Sequence, residues 1–172
     1  MHNVLILGCG RSGTSIFGEL FESNYFFDYM FEPSVNDVLQ NKPGICRRTA
    51  AKVPKSSGKD NSPGLSINLE EFHKKTKADY KYIFIVRHPL DTICSLKPGI
   101  AENWSHNPKP PNYRYLQKNK SLAECCAFHW DHINRAGLDS MLSIAGKDNV
   151  LIVKYEEFVN NPKIEAKKYI DS

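Results

Sequence analysis

A glycine-rich segment near the start of the chain carries the residue types best suited to binding phosphate. An apolar run over residues 4–7 is followed by glycines interleaved with polar residues: Gly8, Gly10, Arg11, Ser12, Gly13, Thr14 and Ser15. This order predicts a buried strand, a tight turn and the start of a helix. Unpaired backbone N–H groups and the positive end of the helix dipole favour an anion there, and glycines let the main chain approach it.

The same residues satisfy two phosphate-binding patterns. Gly8, Gly10 and Gly13 have the spacing of the dinucleotide fingerprint, and Glu32 follows Gly13 by 19 residues, close to where an acid would hold a ribose hydroxyl. Interpreted instead as a phosphate loop, the segment lacks the usual lysine. Three features favour the phosphate loop: the turn is crowded with anion-binding side chains, Pro33 constrains the backbone after the acid, and nothing downstream resembles a substrate domain for hydride transfer.

A second strand-to-helix unit offers further anion-binding groups. Arg87 ends a predicted strand over residues 82–86, and Ser95 lies eight residues later, about two helical turns into the next element. A guanidinium and a hydroxyl facing one anion would each add a charge-assisted hydrogen bond. A surface salt bridge is the alternative role for Arg87 when it is considered alone.

Alternating strands and helices are expected to position these segments. Predicted strands cover residues 4–7, 29–31, a short stretch near 50–53, 82–86 and 150–153, and the longest helix begins at the capping pair Ser121 and Glu124. Continuously apolar strands separated by helices predict a parallel sheet covered on both faces, and therefore a three-layer α/β fold. Residues 98–120 contain four prolines and little periodicity, which predicts a long irregular segment across the surface, either a lid over the site or a flexible insertion.

Composition favours one domain that binds a small anion. The chain has 172 residues, of which 41% are hydrophobic, and its net charge of +4 is too mild for a dedicated nucleic-acid binder. The five cysteines lack metal-ligand spacing and predict reduced thiols. No apolar run approaches about 18 residues and no signal peptide is evident. We therefore expect a cytoplasmic protein without a transmembrane segment, metal or nucleic-acid partner; its oligomeric state is left open.

In order along the chain, these segments resemble the sulfotransferases that use 3′-phosphoadenosine 5′-phosphosulfate (PAPS), particularly the branch acting on carbohydrates and tyrosyl proteins. Residues 10–15 resemble the family's 5′-phosphosulfate loop, and residues 85–95 resemble its 3′-phosphate segment. Phe-Glu-Pro at 31–33 and Lys-Val-Pro at 52–54 resemble the segments with its catalytic glutamate and its Lys-Thr-Pro. Further landmarks are Trp130 with Asn134 and residues 154–162.

The resemblance implies a P-loop-NTPase-like fold over residues 1–172, in a single domain that is either compact or shortened at its C-terminus, since the family's Arg-Lys-Gly segment is missing. It implies sulfuryl transfer from PAPS, without a metal, to a hydroxyl or amine of a sugar, peptide or small molecule. The implied donor-binding residues are Gly10, Arg11, Ser12, Gly13, Thr14, Ser15, Arg87 and Ser95.

The resemblance also implies three catalytic residues. Glu32 would be the general base, Arg11 would hold the phosphosulfate, and Lys52 would approach the leaving group. Lys55 and Lys59 lie in the same stretch and are alternatives to Lys52. Three other functions remain open: a NAD- or FAD-type Rossmann domain, a nucleotide-binding remnant without catalysis, and a nucleotide-loop kinase, which the missing loop lysine disfavours.

Overall fold

The computed structural model describes residues 2–52, 61–77 and 79–170, which contain five strands, eight α-helices and one short 3-10 helix, Lys147–Asn149. The strands are β1 (Asn3–Gly8), β2 (Phe27–Phe31), β3 (Arg48–Lys52), β4 (Tyr80–Val86) and β5 (Val150–Lys154). The helices are α1 (Thr14–Glu22), α2 (Val35–Gln40), α3 (Leu69–Lys75), α4 (Pro89–Ala101), α5 (Tyr113–Asn119), α6 (Leu122–Ala145), α7 (Tyr155–Asn160) and α8 (Pro162–Ile170). All strand pairs are parallel, in the order β2-β3-β1-β4-β5.

Both faces of the sheet are buried, as the continuous apolar strands predict. Along β1, Leu5 and Leu7 belong to one hydrophobic cluster, whereas Val4 and Ile6 belong to the other. Successive side chains of a strand point to opposite faces, so a strand that is apolar at every position needs cover on both sides.

Helices supply that cover in two outer layers. On one face, Phe17 of α1 packs against Phe158 of α7, with ring centroids 5.1 Å apart. On the other face lie Leu96 of α4, Ile133 of α6 and Phe72 of α3. The predicted three-layer α/β fold with a parallel sheet is confirmed.

Helix α6 begins as predicted at Ser121. The Ser121 side chain accepts a hydrogen bond from the Glu124 amide, and the Glu124 carboxylate accepts one from the Ser121 amide, which completes a capping box. The prediction of an irregular segment over 98–120 is partly wrong, because α4 continues through Pro98 to Ala101 and α5 lies within the segment. Burial of Ile100 and Trp104 compensates for the helix hydrogen bond that Pro98 cannot donate. The irregular part of the segment is therefore limited to residues 102–112.

The order of the strands separates the two interpretations of the glycine-rich turn. In the Rossmann arrangement β2 is the direct neighbour of β1, which brings the acid at its end next to the glycine turn. Here β3 lies between them, so Glu32 is two strand spacings, roughly 10 Å, from the end of β1. This geometry does not suit a ribose-binding acid, and the dinucleotide interpretation loses its main support.

Candidate functional site

Residues from four strands meet at the carboxyl edge of the sheet. The glycine-rich turn follows β1, Glu32 follows β2, Lys52 is the last residue of β3, and Arg87 follows β4. In open α/β sheets, ligands bind outside this edge, where the loops that follow the strands converge. The fold therefore brings the predicted residues from distant parts of the sequence to one edge of the molecule.

The turn after β1 is tightly folded around a buried cysteine. Cys9 is fully buried, and burial, with the Cys126 thiol adding to it, raises the pKa of Cys9 to about 12. The Ser12 amide donates to the Cys9 carbonyl at 3.1 Å. Arg11 and Gly13 have φ of 68° and 89°, in the left-handed region, which turns the chain sharply into α1.

The start of α1 leaves several hydrogen-bond donors available. Gly13 is its N-cap and makes no side-chain capping bond, and the first turn holds no acidic residue. The first helical bond runs from the Phe17 amide to the Gly13 carbonyl, so the three amides before Phe17 precede the helical ladder. The hydroxyl of Ser12 is buried without a partner among the described residues. Unpaired donors at a helix start are chemically suited to an anion.

The ring of Tyr155 supports this turn from below. A Cβ added to Gly13 would overlap that ring, so the turn requires glycine for steric reasons as well as for its φ. The guanidinium carbon of Arg87 lies 4.7 Å from the centroid of the same ring, a cation–π contact. Glu156 accepts a hydrogen bond from the His88 amide at 2.8 Å and fixes the start of α4.

Arg11 connects the turn to the second anion-binding segment. Its Nε donates to the Ser95 hydroxyl at 2.9 Å, and its carbonyl accepts from Arg87 at 3.2 Å. The Nε of Arg87 is buried and has no partner in the part of the chain that the structure describes. Arg11, Ser95 and Arg87 therefore form one cluster with donors still unused.

Glu32 and Lys52 form an ion pair at the end of β2 and β3. Lys52 Nζ lies 2.6 Å from Glu32 Oε1, and Lys52 also lies 4.4 Å from the centroid of the Phe31 ring. The Lys52 side chain is 6% exposed and the Glu32 side chain is 45% exposed. Glu32 has a φ of 44°, rare for a residue with a side chain, and its amide donates to the Lys52 carbonyl. The carboxylate is thus fixed by Lys52 and open to solvent.

Trp130 and Asn134 hold the site together from α6. Trp130 Nε1 donates to the Arg87 carbonyl at 3.3 Å, and Asn134 donates to the Trp130 carbonyl at 2.8 Å. The bond from Trp130 positions the Arg87 backbone, whereas the bond from Asn134 stays within α6.

Two residues at the site were not given a role from the sequence. Tyr155 follows β5 directly, a position at the carboxyl edge that could have drawn attention to it. His106 lies in the irregular segment and contacts Gly10 of the turn, and no sequence pattern predicts that contact.

Some sequence predictions are not addressed by these contacts. Val53, Pro54, Lys55 and Lys59 lie outside the described residues. Within residues 2–52, 61–77 and 79–170, no three His, Cys, Asp or Glu side chains are grouped to hold a metal ion, and the metal-free site stays a prediction. In the same residues, no helix combines the length and apolarity needed to cross a membrane.

Comparison with protein families gives one match that spans nearly the whole chain. The family described as "Sulfotransferase domain" matches residues 2–171. A search of the curated proteins gave no match.

Solved structures with the same fold include several sulfotransferases. The sulfotransferase domain from the curacin biosynthetic pathway has a TM-score of 0.61 and 14% identity, over 99% of this chain and 72% of that one. The sulfotransferase from Alicyclobacillus acidocaldarius has a TM-score of 0.60 and 10% identity, over 98% and 78%. A mouse sulfotransferase complexed with PAP (3′-phosphoadenosine 5′-phosphate) has a TM-score of 0.57 and 20% identity, over 97% of this chain and 56% of that one.

Proposed function

This chain belongs to the sulfotransferase domain family, whose enzymes use PAPS as sulfuryl donor, and we propose that it binds PAPS at the edge formed by the glycine-rich turn, Arg87 and Ser95. The acceptor supplies a hydroxyl or an amine, carried by a sugar, a peptide or a small molecule. When bound, the donor supplies the sulfuryl group, and 3′-phosphoadenosine 5′-phosphate (PAP) is the product left behind.

Unused donors at this edge support the binding of a phosphosulfate group. The uncapped start of α1 presents backbone amides, and the buried Ser12 hydroxyl lacks a partner among the described residues. Thr14 and Ser15 stand in the first turn of α1, where their hydroxyls either bind the anion or cap the helix. These amide and hydroxyl groups suit a phosphosulfate, because each hydrogen bond that they donate to an anion is charge-assisted.

Arg87 and Ser95 are proposed to bind the 3′-phosphate. Arg87 has a buried Nε without a partner in the described chain, and Tyr155 and Trp130 hold its position. The bond from Arg11 to Ser95 links this subsite to the 5′ side. PAPS, which carries a 3′-phosphate and a 5′-phosphosulfate, would therefore contact one continuous hydrogen-bonded cluster.

Glu32 is proposed to accept the proton of the acceptor as the acceptor oxygen or nitrogen attacks sulfur. Its carboxylate is open to solvent on one side and fixed by Lys52 on the other, which suits a base that must meet a diffusing substrate. Arg11 and the amides at the start of α1 stabilise the negative charge of the group in transfer. Lys52 is engaged by Glu32, and for Lys52 to approach the leaving group it has to release that carboxylate.

The observation that carries this proposal is the convergence of unused donors at the α1 start with Arg87 and Ser95. The strand order argues against a NAD or FAD site, since β3 separates Glu32 from the turn. The comparison that tests the proposal measures thermal stabilisation of the protein by PAP, by NAD and by ATP with magnesium.

We expect PAP to stabilise the protein, by about 2.7 kcal/mol at a hundred times its dissociation constant. Release of PAP from PAPS in the presence of sugar, peptide and alcohol acceptors would then report turnover. Stabilisation by NAD alone would overturn the proposal. Binding of PAP with no turnover on any acceptor would instead favour the nucleotide-binding remnant.

A further inference from the structure

The irregular segment over residues 102–112 is firmly anchored above the glycine-rich turn. Trp104 is fully buried, and its Nε1 donates to His129 Nδ1 on α6 at 3.2 Å. The amide and hydroxyl of Ser105 both donate to the Gly99 carbonyl, at 2.8 and 2.9 Å. Asn103 and Trp104 each have a φ of 53°, a conformation that persists only where the surroundings impose it. This segment is therefore a built part of the site.

The anchored segment inserts the imidazole of His106 between two glycines. A Cβ added to Gly10 of the turn would lie 2.9 Å from His106 Nδ1, and one added to Gly99 of α4 would overlap the ring at Nε2. Side chains at either position would thus displace His106. Among the described residues neither ring nitrogen has a hydrogen-bond partner; Nδ1 lies beside Gly10 of the turn, and Nε2 lies beside Gly99 of α4.

One cationic group and one titratable imidazole of the described residues face His106. Arg11 faces it from the turn and His129 faces it from α6, where the two imidazole centroids are 5.9 Å apart. Burial, with the Arg11 charge adding to it, lowers the pKa of His106. His129 accepts from Trp104 through Nδ1, so its proton is on Nε2, a buried atom without a partner in the described chain. In the absence of an anion, both imidazoles are therefore neutral at pH 7.

Resting on the function proposed above, we propose that His106 is a residue that positions the bound nucleotide. It takes up a proton when the nucleotide anion binds and then donates a hydrogen bond to that anion. The proton comes from solvent: an N–H bond forms on the imidazole as an O–H bond of the solvent breaks, and no bond between heavy atoms changes. A phosphate beside Arg11 reverses the sign of the local field, which favours the imidazolium. Binding of the nucleotide then becomes stronger as the pH falls. His106 adds a charge-assisted hydrogen bond in the complex, and in the free protein its neutral imidazole does not repel the Arg11 charge.

The proposal predicts a pH dependence specific to one histidine. Each unit by which anion binding raises the pKa of His106 should tighten PAP binding about tenfold once the pH is below the pKa of the free protein. The ligand's own phosphates also titrate near pH 6, so the quantity of interest is the difference between wild type and variant.

Calorimetric titration of the full chain with PAP measures this directly, between about pH 5.5 and 8.5 and in buffers of different ionisation enthalpy. We expect the wild-type protein to take up more protons per PAP bound than His106→Gln, and its affinity advantage over that variant to grow as the pH falls. His132→Gln is the matched control, since His132 is a partly buried histidine on α6 outside this contact, and it should behave as wild type.

The outcomes separate the two proposals. Equal proton uptake and parallel pH profiles for wild type and His106→Gln, with PAP bound, would overturn the role of His106 and leave the donor site intact. A wild-type protein that does not bind PAP would overturn the proposed function, and this inference with it. Thermal unfolding of His106→Gln and of the milder variant His106→Asn establishes that each is folded, so that a lost pH dependence is not mistaken for unfolding.

Discussion

Gly13→Ala should destabilise the protein through two separable effects at the anion-binding turn. The φ of Gly13 is 89°, which costs an alanine about 1–2 kcal/mol, and the added Cβ would overlap the Tyr155 ring, which costs about 1–3 kcal/mol. The more restricted unfolded chain of the variant returns about 0.4–1 kcal/mol. The net loss in the free energy of unfolding is therefore about 1–5 kcal/mol.

Gly146→Ala is a control for a positive-φ glycine without steric overlap, although its ψ of 153° differs from the 13° of Gly13 and its backbone cost is therefore larger. Gly146 has a φ of 79° at the end of α6, and a Cβ added there meets no atom within 4 Å. It should lose only the backbone contribution, about 1–3 kcal/mol less the same gain from the unfolded chain. It lies far from the turn in sequence and should keep wild-type affinity for PAP, whereas Gly13→Ala should weaken it.

A double-mutant cycle isolates the steric part. Urea unfolding of Gly13→Ala, Tyr155→Ala and the double variant should show a coupling of about 1–3 kcal/mol, because the alanine at 155 removes the ring that the new Cβ would overlap. Additivity within about 0.5 kcal/mol would refute the claim that the Tyr155 ring limits the turn to glycine.

Three further predictions concern the base, a capping box and a buried histidine. Glu32→Gln should reduce turnover by about 10²–10⁴ with PAP affinity unchanged, measured by PAP release and calorimetry, and a loss of less than about threefold would remove Glu32 from the reaction. Ser121→Ala should cost about 0.5–2 kcal/mol in urea unfolding because the capping box is lost, whereas Ser143→Ala at an exposed position of α6 should stay within about 0.5 kcal/mol; equal effects would contradict the capping role. Burial, with His106 and His132 adding to it, lowers the pKa of His129 to about 3, so the unfolded chain takes up this proton first. Stability from His129 is then complete above about pH 6.5 and falls toward pH 3 with a slope approaching about 1.4 kcal/mol per unit, and His129→Gln should lack that component; an unchanged slope would contradict it.

The sequence predicts the strands best where both faces are apolar. The prediction of β1 is within one residue at each end, and its residues are apolar on both faces. In contrast, β2, β3 and β4 each begin two residues earlier than expected, because Asp28, Arg48 and Lys81 near their starts are polar. Propensity also failed at Pro98, where tertiary burial of Ile100 and Trp104 carries α4 past a residue that disfavours helix.

The sequence predicts which residues lie at the site, but it does not predict which of their side chains contact one another. Local spacing identifies a phosphate-binding turn because the strand, glycines and helix start are contiguous. That Lys52 would bind Glu32, and that Arg11 would bind Ser95, depends on which strands are neighbours and how side chains cross between them. The contact of His106 with Gly10 depends in addition on an irregular segment with no periodicity to interpret.

The central claim is that one cluster of residues binds a nucleotide with phosphates at both its 3′ and 5′ positions. Calorimetric affinities of PAP and of adenosine 5′-monophosphate for the wild-type protein, Arg87→Ala and the control Arg135→Ala test it most directly. Arg135 is an exposed arginine on α6 paired with Asp131, and its loss should change neither affinity.

Charge-assisted bonds from Arg87 are worth about 1.5–3 kcal/mol, so Arg87→Ala should weaken PAP binding by about 10- to 150-fold and leave binding of the monophosphate nearly unchanged. Equal losses for the two ligands would contradict the account.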